Sequence, residues 1–227
     1  MNSRLFRAAL VAGAVLLAAA TPVLACPVTL DMDDGMPADK PTGSVAPNFP
    51  EDSPKDEPTP EKDSRFETFK QAVTNGRAGK ITGLFVPGFK GLYVVQQGKG
   101  DNTGVSPVDG VVTQFSLPSG GVVGLMAHNY AAGKWFESFT PNSLVYVIYG
   151  DGKSVAYRIT DTLRFKAKNG KSPSSDLIDL STGETRTADQ VYNQVYTGRP
   201  HLTLQTCIEE DGNWKWGRLF LLAEPVL

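Results

Sequence analysis

Cysteine and histidine are scarce in this sequence: there are two of each among 227 residues. Neither pair has metal-ligand spacing with a third donor, so no metal site follows from the sequence. A formal net charge of −2 leaves no basic surplus of the kind a nucleic-acid-binding face requires. There is no internal repeat and no alternation of strand and helix patterns, which argues against a parallel doubly wound sheet. Beyond the N-terminus no apolar run is long enough to cross a bilayer.

The N-terminus itself is different. Arg4 and Arg7 precede an apolar run from Ala8 to Ala20, and Thr21-Pro22-Val23-Leu24-Ala25 then leads to Cys26. A basic start, a short apolar middle and a small residue at a cut site form a secretory signal over residues 1–25, or at the low end of the length range an uncleaved membrane anchor. Cys26 stands where a lipoprotein carries its acylated cysteine, and the same tripeptide before it also suits ordinary cleavage. Both readings export the protein, secreted or held at the outer face of the membrane, with lipid attachment at Cys26 as one route.

Residues 26–63 form a spacer. Pro37, Pro41, Pro47, Pro50, Pro54, Pro58 and Pro60 recur among Asp, Glu, Lys, Ser and Thr. Such a composition buries too little apolar surface to offset its ordering entropy, so an extended linker is expected. Much of the chain's acidity, from Asp31 to Glu61, lies there.

A folded domain is expected over 64–227. Ser64-Arg65-Phe66-Glu67 is a capping box, and Phe66, Phe69 and Val73 follow at helical spacing until Asn75-Gly76. From residue 81 the pattern changes to short β runs at 83–86, 91–96, 111–115, 122–127, 144–149, 155–160, 163–167, 202–206 and 219–223. Tyr149-Gly150-Asp151-Gly152-Lys153 reads as a hairpin. Many short strands at this spacing predict a mainly β domain, a barrel or a sandwich. Two stretches break the rhythm. Residues 129–139 place Trp135, Phe136 and Phe139 at the spacing of one or two helical turns. Residues 166–200 form a long connection in which Thr187-Ala188-Asp189-Gln190 caps a short helix ending at Gly198, and a long insertion of this kind commonly shapes a binding surface.

The chemistry centres on Cys207. With Cys26 lipidated or left in the tail, an odd thiol is expected at the end of a strand in an exported protein, and nucleophilic chemistry is the leading reason for one. A thiol attacks as thiolate, and a neighbouring cation favours that form. His128 could supply a charge and later a proton for the leaving group. Arg218 carries five donors and could hold an oxyanion. The bland alternatives are a small core cysteine, a loop histidine and a solvated strand arginine. His201 competes with His128, but six residues along a regular strand separate it from Cys207 by roughly 20 Å.

These residues carry a family resemblance. Thr203-Leu204-Gln205-Thr206-Cys207 resembles the Thr-Leu-X-Thr-Cys signature of sortases, the cysteine transpeptidases of bacterial surfaces. Ala127-His128-Asn129, with Gly133-Lys134-Trp135-Phe136 after it, resembles the segment around the sortase histidine in its class B-like form. Trp216-Gly217-Arg218-Leu219-Phe220 resembles the strand that bears the sortase arginine. The three occur in the family's order. The resemblance implies a closed eight-stranded β-barrel with a few short helices and no cofactor. It implies that Cys207 attacks a C-terminal sorting signal such as Leu-Pro-X-Thr-Gly and forms a thioacyl-enzyme. An amine acceptor such as peptidoglycan or a pilin would resolve it. His128 would be the acid/base, Arg218 the oxyanion or substrate group, and Thr206 a residue that helps position substrate. A barrel that binds surface ligands without catalysis, or a cysteine hydrolase with no amine acceptor, are the competing expectations.

Overall fold

The computed structural model describes residues 64–226 except Lys99 and Asn102. The signal segment, Cys26 and the proline-rich spacer lie outside the described residues. Among the described residues no helix is long and apolar enough to cross a membrane.

Ten strands follow one short helix: β1 (Ile81–Val86), β2 (Lys90–Gln96), β3 (Val111–Gln114), β4 (Val123–Met126), β5 (Leu144–Tyr149), β6 (Ser154–Ala167), β7 (Leu177–Asp179), β8 (Thr185–Arg186), β9 (Leu202–Glu210) and β10 (Asn213–Pro225). They hydrogen-bond in the order β10-β9-β4-β3-β2-β1-β5-β6, and β6 pairs back onto β10. The result is a closed eight-stranded barrel with β7 and β8 as a small extension of β6. Closure leaves no unpaired barrel edge for another chain to extend. Most neighbours run antiparallel, but β2–β3 and β4–β9 are parallel. The second of these sets the site.

Strand alternation sorts side chains into two cores. Leu84, Leu92, Val112, Leu125, Val147, Leu204, Leu219 and Leu221 fill the barrel. The opposite faces of β4, β9 and β10 form a second core outside it, where Met126 and Phe220 meet Ala188, Val191, Val195 and Tyr196. Those last four belong to α2 (Ala188–Tyr196), the helix expected within the 166–200 connection. Both legs of its capping box form: Thr187 accepts from the Gln190 backbone and Gln190 accepts from the Thr187 backbone. The long connection therefore lies folded against the barrel wall.

The first helix, α1 (Ser64–Val73), also falls where the sequence placed it. Phe66 and Val73 bury themselves on Phe85, Tyr146 and Ile148, outside the barrel. Residues 129–139 give a 3₁₀ helix over Ala132–Ser138. Its Ala132 and Phe136, with Phe139 beyond, enter the barrel core. Truncating a fully buried Phe such as Phe136 costs about 3–5 kcal/mol, so this helix is a firm wall rather than a loose loop.

Two expected strands, 155–160 and 163–167, prove to be one. Strand β6 is continuous, but its register against β10 slips by one residue, since Leu222 faces Asp161 while Ala223 faces Ile159. That bulge interrupts the period-two pattern and makes one strand look like two.

Candidate functional site

The site lies where β4, β9 and β10 run side by side. On β10, Arg218 is the register partner of Cys207 on β9. On the other flank, Val123, Gly124, Leu125 and Met126 pair in parallel with Leu202 through Gln205, and the Ala127 amide donates to the Gln205 carbonyl at 3.0 Å. Two more residues along that register bring His128 level with Cys207. Alternation then fixes the side. Leu125 and Ala127 point into the barrel, as do Leu204 and Ile208 and also Leu219 and Leu221. Cys207 and Arg218 therefore share the outer face in one row, with Met126 and Phe220 of the second core one step below, and β4 leads into His128 at the end of that row.

Thr206 is not in that row. Its side chain belongs to the other face of β9, toward the 3₁₀ helix: a Cβ added to Gly133 would stand 2.2 Å from Thr206 Oγ1. That hydroxyl is buried without a hydrogen-bond partner. Thr206 thus seats the helix that walls the cleft, and does not face the cleft beside Cys207.

His201 is also elsewhere, as its spacing implied. Its ring nitrogens lie 2.8 Å from the Arg199 carbonyl and 2.9 Å from the Val195 carbonyl. It ties the chain after α2 to the start of β9.

The state of Cys207 departs from the sequence reading. It was expected as an odd thiol, and the structure records it as a disulfide cysteine. The chain's other cysteine, Cys26, lies outside the described residues. An oxidising setting readily holds a thiol beside a cleft in that form. Nucleophilic chemistry at Cys207 therefore requires its reduction first.

Arg218 is 1 % exposed. Its Nη1 donates to the Gly217 carbonyl at 3.0 Å and the Lys215 carbonyl at 3.3 Å, and Nη2 donates to the Gly170 carbonyl at 3.3 Å. Nε has no partner. Burial lowers its pKa to about 10, so the guanidinium stays charged at neutral pH. Among the described residues no carboxylate pairs with it. A buried cation held only by neutral carbonyls favours an anion next to it strongly.

His128 is equally buried, with 4 % exposure. Desolvation lowers its pKa to about 4, Lys215 pushes the same way, and a hydrogen bond to the Val105 backbone opposes them. A backbone group that favours the imidazolium is an acceptor, hence the Val105 carbonyl. Nε2 has no partner, so Nδ1–H is the group that donates to Val105. At neutral pH the ring is uncharged, with its proton on Nδ1 and a lone pair on Nε2.

A cleft of about 170 Å³ opens beside Cys207, lined by Asn129, Gly133, Lys134, Glu137, Glu209 and Trp214. Lys134 is tied to Asp109 at 2.9 Å and Glu137 to Arg164 at 3.3 Å. The 3₁₀ helix supplies one wall and the β9–β10 hairpin the other. Asp211 and Gly212 turn that hairpin with φ values of 50° and 80°, the left-handed pair that suits a two-residue turn. Between Asn213 and Gly217 the register slips, and Trp214 and Lys215 arch out of the ladder over the row.

The sequence reading named Asn129 only within the histidine motif and missed Tyr130 and Trp214 as parts of this site. The Asp211-Gly212 pair between apolar runs was a signal for the hairpin, and the hairpin would have placed Trp214 near Cys207. Among the described residues no cluster of His, Cys, Asp and Glu could hold a metal ion.

No protein-family model and no curated protein sequence matches the chain. Solved structures do. Sortase C from Clostridium perfringens SM101 is 15% identical, with a TM-score of 0.40 over 67% of this chain and 72% of that one. Sortase C1 from Streptococcus agalactiae is 14% identical, with a TM-score of 0.41 over 65% and 68%. Sortase E1 from Streptomyces coelicolor, solved with a tripeptide in its active site, is 16% identical, with a TM-score of 0.42 over 68% and 91%. The chain is thus similar in structure to sortases of more than one class.

Proposed function

We propose that the protein is a sortase-like cysteine transpeptidase. One observation carries this reading: Cys207 and Arg218 are register partners on adjacent strands, and β4, which leads into His128, pairs on the other side of the Cys207 strand. A barrel that only bound surface ligands would have no need to bury a neutral imidazole and a cation that has no carboxylate partner among the described residues.

Each group has a part. After reduction, the Cys207 thiol gives its proton to His128 Nε2 and attacks a peptide carbonyl. The carbonyl oxygen becomes an oxyanion beside the fixed charge of Arg218, whose Nε–H is the unused donor. The tetrahedral intermediate collapses with loss of the amine, which takes the proton from His128, and a thioester remains on Cys207. An acceptor amine then attacks the thioester, yields a new amide and restores the thiol. If water attacks instead, the outcome is hydrolysis.

The substrate proposed is a C-terminal sorting signal, and the acceptor is an amine of the cell surface such as peptidoglycan or a pilin subunit. The N-terminal segment, as a signal or an anchor, would deliver the domain to the outer face of the membrane. The test is mass spectrometry of the reduced protein after incubation with sorting-signal peptides, with and without an added amine. An acyl adduct on Cys207 that converts to an amide product is the expected result. An adduct that yields only free acid, whatever the amine, makes the protein a hydrolase. No adduct with any peptide, at an intact fold, overturns the reading.

A further inference from the structure

His128 leaves the end of β4 on a turn, where side chains are ordinarily exposed, yet its ring is almost wholly buried. The turn itself is stiff: the His128 carbonyl accepts from the Ala131 amide at 3.0 Å and the Gly133 amide at 2.8 Å. That holds the backbone and leaves the ring free to rotate. Two groups hold the ring. The Val105 carbonyl bonds one edge. The Tyr130 ring lies flat against the imidazole, 4.7 Å between centroids and 24° between planes.

Tyr130 is not a core residue. It is 46% exposed, and among the described residues its hydroxyl makes no hydrogen bond. The contacts that do fix it come from the far wall of the cleft. Trp214 meets it edge-on at 6.3 Å and 83°. The neighbouring Asn129 donates through Nδ2 to the Trp214 carbonyl at 3.0 Å. Two consecutive residues of the histidine turn thus grip one tryptophan on the β9–β10 hairpin, one through its backbone and one through its ring. Trp214 in turn lines the cleft beside Cys207.

We propose that Tyr130, braced by Trp214, is a positioning residue for His128: its ring fixes the imidazole plane in the row with Cys207 and keeps water off it. This rests on the transpeptidase reading of the row. An aromatic face suits both states that the cycle needs. It stacks on the neutral imidazole, and it attracts the imidazolium that forms when the thiol proton is taken. Keeping water away is what holds the imidazole neutral between turnovers, against the opposing pull of the Val105 carbonyl. The other charged groups facing the ring are Lys215, which disfavours the imidazolium, and Arg218 in the same row.

The chain's two histidines make the test clean, because NMR titration of the full-length reduced protein gives two histidine side chains, and His201→Gln assigns them. Tyr130→Ala should raise the His128 midpoint by about one pH unit as water reaches the ring. It should cut the rate constant of Cys207 acylation about ten-fold with KM for the peptide within about two-fold. Tyr130→Phe, which keeps the ring, should restore both. An unmoved midpoint in Tyr130→Ala overturns the proposal. So does a rise confined to KM, which would make Tyr130 a substrate contact, and so does a Tyr130→Phe defect as deep as that of Tyr130→Ala. The titration needs no turnover. A wild-type protein that never acylates would defeat the transpeptidase reading while the midpoint shift still reported on the clamp.

Discussion

Cys207 and Arg218 are register partners on antiparallel strands, so their Cβ atoms stand about 5 Å apart on one face. A guanidinium on the neighbouring strand favours the thiolate form of a cysteine by Coulomb attraction. The partners are set by the strand ladder and not by a loop, so their spacing is fixed by the fold.

The same charge is a burden on the fold, since it is buried with no carboxylate beside it among the described residues. Arg218→Met keeps most of the volume and removes the charge. Thermal unfolding of this variant should be unchanged or slightly raised, as for other buried charges replaced by apolar groups of similar size. Acylation of Cys207 should fall by about 10²–10³. A variant that unfolds several degrees earlier, or that acylates within about three-fold of wild type, would show that Arg218 serves packing.

Reduction should switch the chemistry on. Cys207 stands in a disulfide, so the protein purified without reductant should form no adduct with a sorting-signal peptide. The same protein after treatment with a dithiol, with the reductant then removed, should acylate. Iodoacetamide labelling should follow the same switch and should proceed below the usual thiol pKa because of the cation on the next strand. Equal adduct formation before and after reduction would refute this.

Much of the barrel was legible because it depends on local signals. Apolar runs bounded by Gly, Pro, Asn and Asp marked strands, and the Thr187 to Gln190 box marked α2 within the long connection. The candidate site was legible only through its three short motifs, since nothing local in His128 ties it to a cysteine 79 residues on. What stayed hidden was the set of relations made by register slips. The bulge at Thr160 split one strand into two apparent ones, and the bulge after Asn213 threw Trp214 toward Tyr130. A one-residue slip also decides which face a side chain takes, and Thr206, adjacent to Cys207 in sequence, is on the far side of the sheet from it.

That placement of Thr206 makes a prediction of its own. Its hydroxyl is buried with no partner against Gly133, and a buried hydroxyl of this kind costs about 1–3 kcal/mol. Thr206→Val is nearly isosteric and should raise the unfolding midpoint, with peptide KM within about two-fold of wild type. Gly133→Ala should do the opposite. Its Cβ would stand 2.2 Å from Thr206 Oγ1, 2.7 Å from the His128 carbonyl oxygen and 2.9 Å from that of Ala127, so the 3₁₀ helix must shift at a cost of about 1–3 kcal/mol. A large rise in KM for Thr206→Val would restore Thr206 to the substrate site.

Acid should destabilise the domain through His128. Burial lowers its pKa from 6.5 to about 4. Between those values the unfolded chain binds a proton that the folded one refuses, so stability is full above about pH 6.5 and declines as pH falls toward 4. The whole interval corresponds to at most about 3 kcal/mol. Asp101, Asp109 and Asp179, whose carboxyls are held below their ordinary range by hydrogen bonds from Thr103, Lys134 and Ser181 respectively, also lose stability in acid. Their contribution is separated by comparison with His128→Gln. Urea unfolding at pH 7 and pH 4.5 should show a larger loss for wild type than for the variant, by about 1–3 kcal/mol. Equal losses in the two proteins would mean that the imidazole takes up its proton in the folded state, and that the lone pair on Nε2 is not the base at Cys207.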